Sequence, residues 1–127
     1  MIRTKSIYKP KEDSDGTRIL ITRYYPRGVR KDHFDEWVRE LSPSAELLKG
    51  YKEGIINQEQ FTVQFFSQIN SNVASLEALQ SISEMAKKSN ITLLCYERDG
   101  EFCHRHLVND MVLHEMGKMP EILSRLS

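Results

Sequence analysis

No apolar run in this sequence is long enough to cross a bilayer. Cysteine is scarce, at two residues, as are proline, at four, and glycine, at six. So few cysteines exclude a disulfide-dense scaffold, and so little proline and glycine exclude collagen-like and low-complexity chains. An excess of charge of one sign is missing too, because eighteen Lys and Arg balance eighteen Asp and Glu. A chain-wide basic surface is therefore absent, and any nucleic-acid contact must rest on a local patch. Nothing after Met1 has the apolar stretch of a signal peptide. The expectations are a cytoplasmic location, no membrane contact, and two free thiols in a reducing environment.

What is present is an ordinary globular balance, 39% hydrophobic and 28% charged over 127 residues, enough to bury one core. A single α/β domain over residues 1–127 is expected. Residues 2–8 and 17–25 read as strands, the second with Ile19 and Ile21 on one face and Leu20 and Thr22 on the other. Phe34, Trp37, Val38 and Leu41 fall at helical spacing and predict a helix over 32–41, stopped by Ser42-Pro43. Ser44 caps a short helix through Leu48, and Asn57 with Gln60 resembles a capping pair for a third helix carrying Phe61, Phe65 and Ile69, although residues 61–66 can also be scanned as a strand. A fourth helix covers 74–88, with Asn90 in a left-handed cap. Residues 91–96 form the strongest strand, a nearly continuous apolar run that suits a sheet covered on both faces. Asp99-Gly100 is turn chemistry. A helix over 102–115 follows, with Leu107, Val108, Met111 and Val112 inward, and a short helix over 121–126 closes the chain. This order predicts a small three-layer, Rossmann-like α/β domain, with a mainly parallel sheet flanked by helices.

In such sheets ligands sit beyond the carboxyl ends of the strands. Two loops should open there. The first runs from Arg23 through Tyr25, Arg27 and Gly28 to Arg30 and Lys31. Its guanidinium groups suit phosphate or carboxylate, its tyrosines can stack on a base, and Gly28 permits close backbone approach. The plainer alternative is a solvated loop paired with Asp32, Asp35 and Glu36. The second loop leaves Cys95 and Glu97 and reaches Cys103, His104 and Arg105 at a helix N-terminus, a position that lowers a thiol pKa. On a helical wheel His104 faces the sheet, Cys103 flanks it and Arg105 turns away.

Three chemistries compete for the second loop: a Cys103 nucleophile with His104 or Glu97 as acid or base, a metal set of Cys95, Cys103 and His104, and a redox pair of the two cysteines. None has a decisive spacing, no metal or other cofactor is assigned, and Cys95 reads most simply as a small core residue. His106, Asp110 and His114 form a stripe at helical spacing that reads as a solvated flank.

Ile2-Arg3-Thr4-Lys5-Ser6-Ile7-Tyr8, followed by Ser14-Asp15-Gly16-Thr17-Arg18-Ile19-Leu20-Ile21-Thr22-Arg23-Tyr24-Tyr25-Pro26-Arg27-Gly28, resembles the opening of YeaO-like proteins in the family called domain of unknown function 488. The likeness continues through Trp37, the stretch from Leu41 to Leu47, and the strand Ile91-Thr92-Leu93-Leu94. Cys95-Tyr96-Glu97 and Cys103-His104-Arg105 resemble motifs of other members, whereas YeaO-like members often lack the cysteine motif. Thr22 stands where the family commonly has aspartate, and Tyr25 where it has tryptophan. The resemblance implies an α/β fold and a shared pocket, and it supplies no reaction. The preferred expectation is a pocket for an anion, such as a nucleotide or nucleic-acid end. Arg23, Tyr25, Arg27, Gly28, Arg30 and Arg105 would bind it, with Cys103, His104 and Glu97 placed for chemistry. A thiol-dependent enzyme and a non-catalytic protein-interaction domain are the alternatives.

Overall fold

The computed structural model describes residues 1–97 and 102–117. Four strands form one parallel sheet: β1 (Ile2–Ser6), β2 (Thr17–Leu20), β3 (Glu36–Trp37) and β4 (Ile91–Cys95), in the order β1-β4-β2-β3. The most apolar strand, β4, is central. Ser6 lies opposite Cys95 on one side, and Leu20 lies opposite Leu94 on the other. Gly16 permits the tight start of β2. Its φ is +65°, and a Cβ there would lie 2.1 Å from the Asn90 carbonyl oxygen.

The four α-helices are α1 (Ala45–Lys52), α2 (Gln58–Asn70), α3 (Val73–Lys88) and α4 (His104–Glu115). Ser44 caps α1 by accepting from the Leu47 amide, and Asn57 and Gln60 form a reciprocal capping box on α2. Residues of all four helices join Ile19, Ile21, Ile91 and Leu93 in the main core. The opposite face of the sheet carries Ile7, Leu20 and Leu94 beneath Val29, Phe34 and Trp37. Helices thus cover one face, and irregular chain with short 3-10 turns covers the other. That face also buries Lys5, Arg18 and Thr92.

The helix expected over 32–41 does not form. Lys31–His33 and Arg39–Leu41 are 3-10 turns, and Glu36–Trp37 is the edge strand. Its supposed apolar face is divided: Phe34 and Trp37 pack on one side of the sheet, while Val38 and Leu41 join the helical core on the other. Pairing with β2 takes the backbone instead. Asp35 N–H donates to the Arg18 carbonyl at 2.8 Å, and Val38 N–H donates to the Leu20 carbonyl at 2.8 Å. Strand β2 ends at Leu20, where Thr22 turns the chain by donating its hydroxyl to the Tyr24 carbonyl at 2.8 Å. Asn90 takes no left-handed conformation, since positive φ among described residues is confined to glycine; extended Ser89 ends α3 instead. The Asp99-Gly100 turn and the helix over 121–126 lie outside the described residues.

Candidate functional site at the carboxyl edge of the sheet

Because β2 and β4 are adjacent and parallel, the chains leaving them open on the same edge. Two contacts tie them together: the Tyr96 hydroxyl donates to the Tyr24 carbonyl, and a His104 ring nitrogen meets the Ile21 carbonyl. Cys95, at the end of β4, shares the helix-facing side with Leu93 and Ile91, which points its sulfur toward the start of α4. Cys103 is the N-cap of that helix, and its sulfur accepts from the Arg105 amide at 3.5 Å.

The two sulfurs are joined as a disulfide, which corrects the expectation of two free thiols. The expectation rested on compartment, whereas the fold brings together two residues eight positions apart, one at a strand end and one at a helix cap. Glu97 Oε2 lies 2.6 Å from Cys95 Sγ. A bridged sulfur has no proton to give, so this contact becomes a hydrogen bond only when the bridge opens and Cys95 is a thiol.

His104 is buried, and its ring stands edge-on to Phe65 with centroids 5.7 Å apart. Nε2 lies 2.5 Å from the Ile21 carbonyl oxygen. A carbonyl can only accept, so Nε2 carries the proton and Nδ1 offers its lone pair. Nδ1 is 3.8 Å from Cys95 Sγ and 3.7 Å from Cys103 Sγ. Burial lowers the imidazole pKa to about 4, with the charges of Arg105 and His106 acting in the same direction and the Ile21 bond opposing them. The ring is therefore neutral at physiological pH, with its basic nitrogen between the two sulfurs.

Arg105 does not turn away from the sheet as the wheel predicts. It is 1% exposed, and its guanidinium folds back to donate to the Glu97 carbonyl at 2.7 Å. A wheel fixes the direction of Cβ but not the course of so long a side chain.

The arginine turn is less uniform than its composition suggests. Arg23 is half-buried, and its Nε is enclosed without a hydrogen-bond partner among the described residues. Arg27 is exposed, and Arg30 is exposed and pairs with Asp32 at 3.5 Å. Gly28 has φ +78° with open space around it. Tyr25 is edge-on to Phe34 and Trp37, at 5.9 and 5.7 Å, and its hydroxyl donates to the Val29 carbonyl at 2.6 Å. The tyrosine closes the turn. Cys95 is a buried core residue, as its strand predicts, and is also joined to Cys103, the pairing named among the three competing chemistries.

These features define a class, a parallel α/β domain with a disulfide–imidazole–carboxylate cluster at the carboxyl edge of its sheet. The sequence comparisons then identify the family. Residues 2–116 match the model for DUF488-N3a, described as the active DUF488-N3 subclade. The chain is 36% identical over 95 residues to the uncharacterized protein YeaO of Escherichia coli K12, across 73% of this chain and 80% of that protein. It is 27% identical over 78 residues to the uncharacterized protein Rv3073c of Mycobacterium tuberculosis H37Rv, across 60% of this chain and 66% of that one. No solved structure matches. The chain belongs to the DUF488 family and is YeaO-like. Among the described residues, no helix is long and apolar enough to cross a membrane.

Proposed function

We propose that this chain is a thiol-dependent enzyme acting on an anionic substrate at the rim between the two turns. The observation that carries the reading is the His104 ring, whose Nε2–H is held by Ile21 while the Nδ1 lone pair faces both sulfurs. A dithiol reductant first opens the bridge by exchange, supplying two electrons and two protons. Cys103 then passes its proton to His104 Nδ1 as its sulfur attacks an electrophilic centre of the substrate, the two events concerted because so weakly basic an imidazole does not hold the proton beforehand. The proton returns to the leaving group as the new sulfur bond forms, and water then cleaves that bond, its hydroxyl going to the substrate-derived group and its proton back to the Cys103 sulfur. Cys103 suits the nucleophile's role because a helix N-terminus and the Arg105 amide favour its thiolate. Cys95, beside Glu97, is the second thiol, which re-forms the bridge when an oxidant removes two electrons from the pair. The family description's word "active" agrees with a catalytic role.

The anionic character of the substrate rests on the turn that leaves β2, which carries half-buried Arg23 and exposed Arg27 beside the edge that holds His104. Guanidinium groups so placed suit a phosphate or carboxylate. A nucleotide or nucleic-acid end is one such anion, and the ring contacts of Tyr25 make base stacking on that residue the least supported part of the original expectation.

Alkylation of the reduced chain at neutral pH, followed by mass spectrometry of each cysteine, tests both statements. Cys103 should react faster than a small thiol, and His104→Gln should slow it. Iodoacetate should gain on neutral iodoacetamide relative to their ratio with that small thiol, and Arg23→Ala should abolish the gain. Ordinary reactivity at both cysteines refutes the thiol reading. A ratio equal to the small thiol's refutes the anion reading.

A further inference from the structure

We infer that the reduced form of this centre is a binding site for a zinc-class divalent ion, with Cys95 Sγ, Cys103 Sγ and His104 Nδ1 as its protein ligands. The three donor atoms lie within 4.8 Å of one another and all three residues are buried. In a tetrahedral zinc site, metal–sulfur and metal–nitrogen bonds of about 2.3 and 2.0–2.1 Å set each S···N edge near 3.6 Å. The two S···N distances are 3.8 and 3.7 Å. Only the sulfur–sulfur edge must lengthen, to about 3.8 Å on the same geometry. The backbone has room for this, because the Cα atoms of the pair are 7.4 Å apart. Bridged cysteines commonly stand about 4.4–6.8 Å apart.

The surroundings fit a metal as well as the donors do. A ligating histidine is ordinarily oriented by a hydrogen bond from its other nitrogen to a carbonyl or carboxylate, and the Ile21 carbonyl fills that role for Nε2. Phe65 fixes the ring plane from the side. Sulfur and imidazole donors select zinc-class ions over magnesium or calcium, which take oxygen. Three protein ligands leave a fourth position for water, for the Glu97 carboxylate beside Cys95, or for an added anion.

The balance is simple. Two thiols and one divalent ion give a dithiolate complex and release two protons. An oxidant such as diamide removes two electrons from the thiolates, forms the sulfur–sulfur bond and expels the ion. The site is thus open to metal in the reduced state and closed to it in the bridged state. It rests on the preceding reading only in requiring that the bridge can open.

The test uses the full chain, reduced with a phosphine, desalted without oxygen and titrated with cobalt(II). Expected are sulfur-to-cobalt charge-transfer absorption and the visible bands of tetrahedral cobalt, saturating at one ion per chain and displaced by zinc. Diamide oxidation of the same preparation should abolish them, a control that needs no substitution. Cys95→Ser or Cys103→Ser should remove about half the charge-transfer intensity, and His104→Gln should weaken binding at least tenfold. Absence of charge transfer in a chain whose two thiols both react with a thiol reagent would overturn the inference. So would bands that persist in the oxidised chain. Alkylation rates of the metal-free reduced chain report on the enzyme reading separately, so the two can fail independently.

Discussion

Two buried polar clusters lie on opposite faces of the same sheet, and they are built on different principles. Behind it, Asp15 accepts from the Lys5 ammonium at 3.1 Å and from the Arg18 guanidinium, while Arg18 Nε donates to the His33 carbonyl at 2.8 Å. Lys5 also reaches Glu12 at 2.7 Å and the Pro10 carbonyl at 2.8 Å. Formal charges of opposite sign meet there, and their contacts tie β1, β2 and the 3-10 turn at Asp13–Asp15 into one unit. At the carboxyl edge the sulfurs and the imidazole are equally enclosed and Glu97 is half-buried, but an unprotonated nitrogen faces sulfur, and a carboxylate lies against a sulfur of the bridge. Burial therefore does not mark a site. What distinguishes the edge cluster is a basic nitrogen set against a redox-active pair of sulfurs.

The sharpest way to break this contrast is to remove one partner from the charge cluster. Asp15→Asn leaves Lys5 and Arg18 buried beside a neutral group and should destabilise the fold by about 3–5 kcal/mol, measured by urea denaturation. His104→Gln should behave oppositely: a smaller change in urea midpoint, but a fall of about a hundredfold in alkylation rate of the reduced chain, the lower end of what a positioned base supplies. If both variants lost only stability, or both only reactivity, the division of labour would be wrong.

A pH titration of stability sharpens it further. Burial raises the Asp15 pKa, but hydrogen bonds from the Glu12 amide, Lys5 and Arg18 outweigh it and hold the group below its usual 3.8. Its stabilisation is therefore complete above that value and lost as pH falls through the depressed pKa. For Lys5 burial acts downward, and bonds to Glu12 and Asp15 overcome it, raising the group above 10.5. Its stabilisation is complete below that value and disappears as pH rises through the raised one. The gap in melting temperature between the wild type and Asp15→Asn should be flat through neutral pH and should narrow in acid. A gap that widens in acid contradicts the assignment. The smallest effect is expected at Arg30→Ala, where an exposed pair with Asp32 is broken; its melting temperature should match the wild type's.

Much of the helical layer was legible from residues alone. The capping pair at Asn57 and Gln60, the cap at Ser44, and the inward face of α4 are local signals, the first two satisfied by hydrogen bonds within a turn and the third by packing. The segment over 32–41 was misread because a ten-residue apolar pattern cannot say whether its members share a face; here they pack on opposite sides of the sheet. The charge cluster was passed over although Lys5 and Arg18, long cations inside strand patterns, were visible. Nothing local announces that Asp15, Lys5 and Arg18 will find each other.

The sequence by itself determined an α/β chain with a strongly apolar late strand, a helix over about 102–115, and membership of a family readable in its opening strands. Only the tertiary structure decided that Cys95 and Cys103 meet, that His104 turns its lone pair toward them, and that Arg105 folds back over Glu97. The reason is range. Caps and periodicity act within a few residues, whereas the sulfur–imidazole cluster is held by the Ile21 carbonyl, which lies 83 positions from His104 in the chain and becomes its neighbour only through the parallel pairing of β2 with β4.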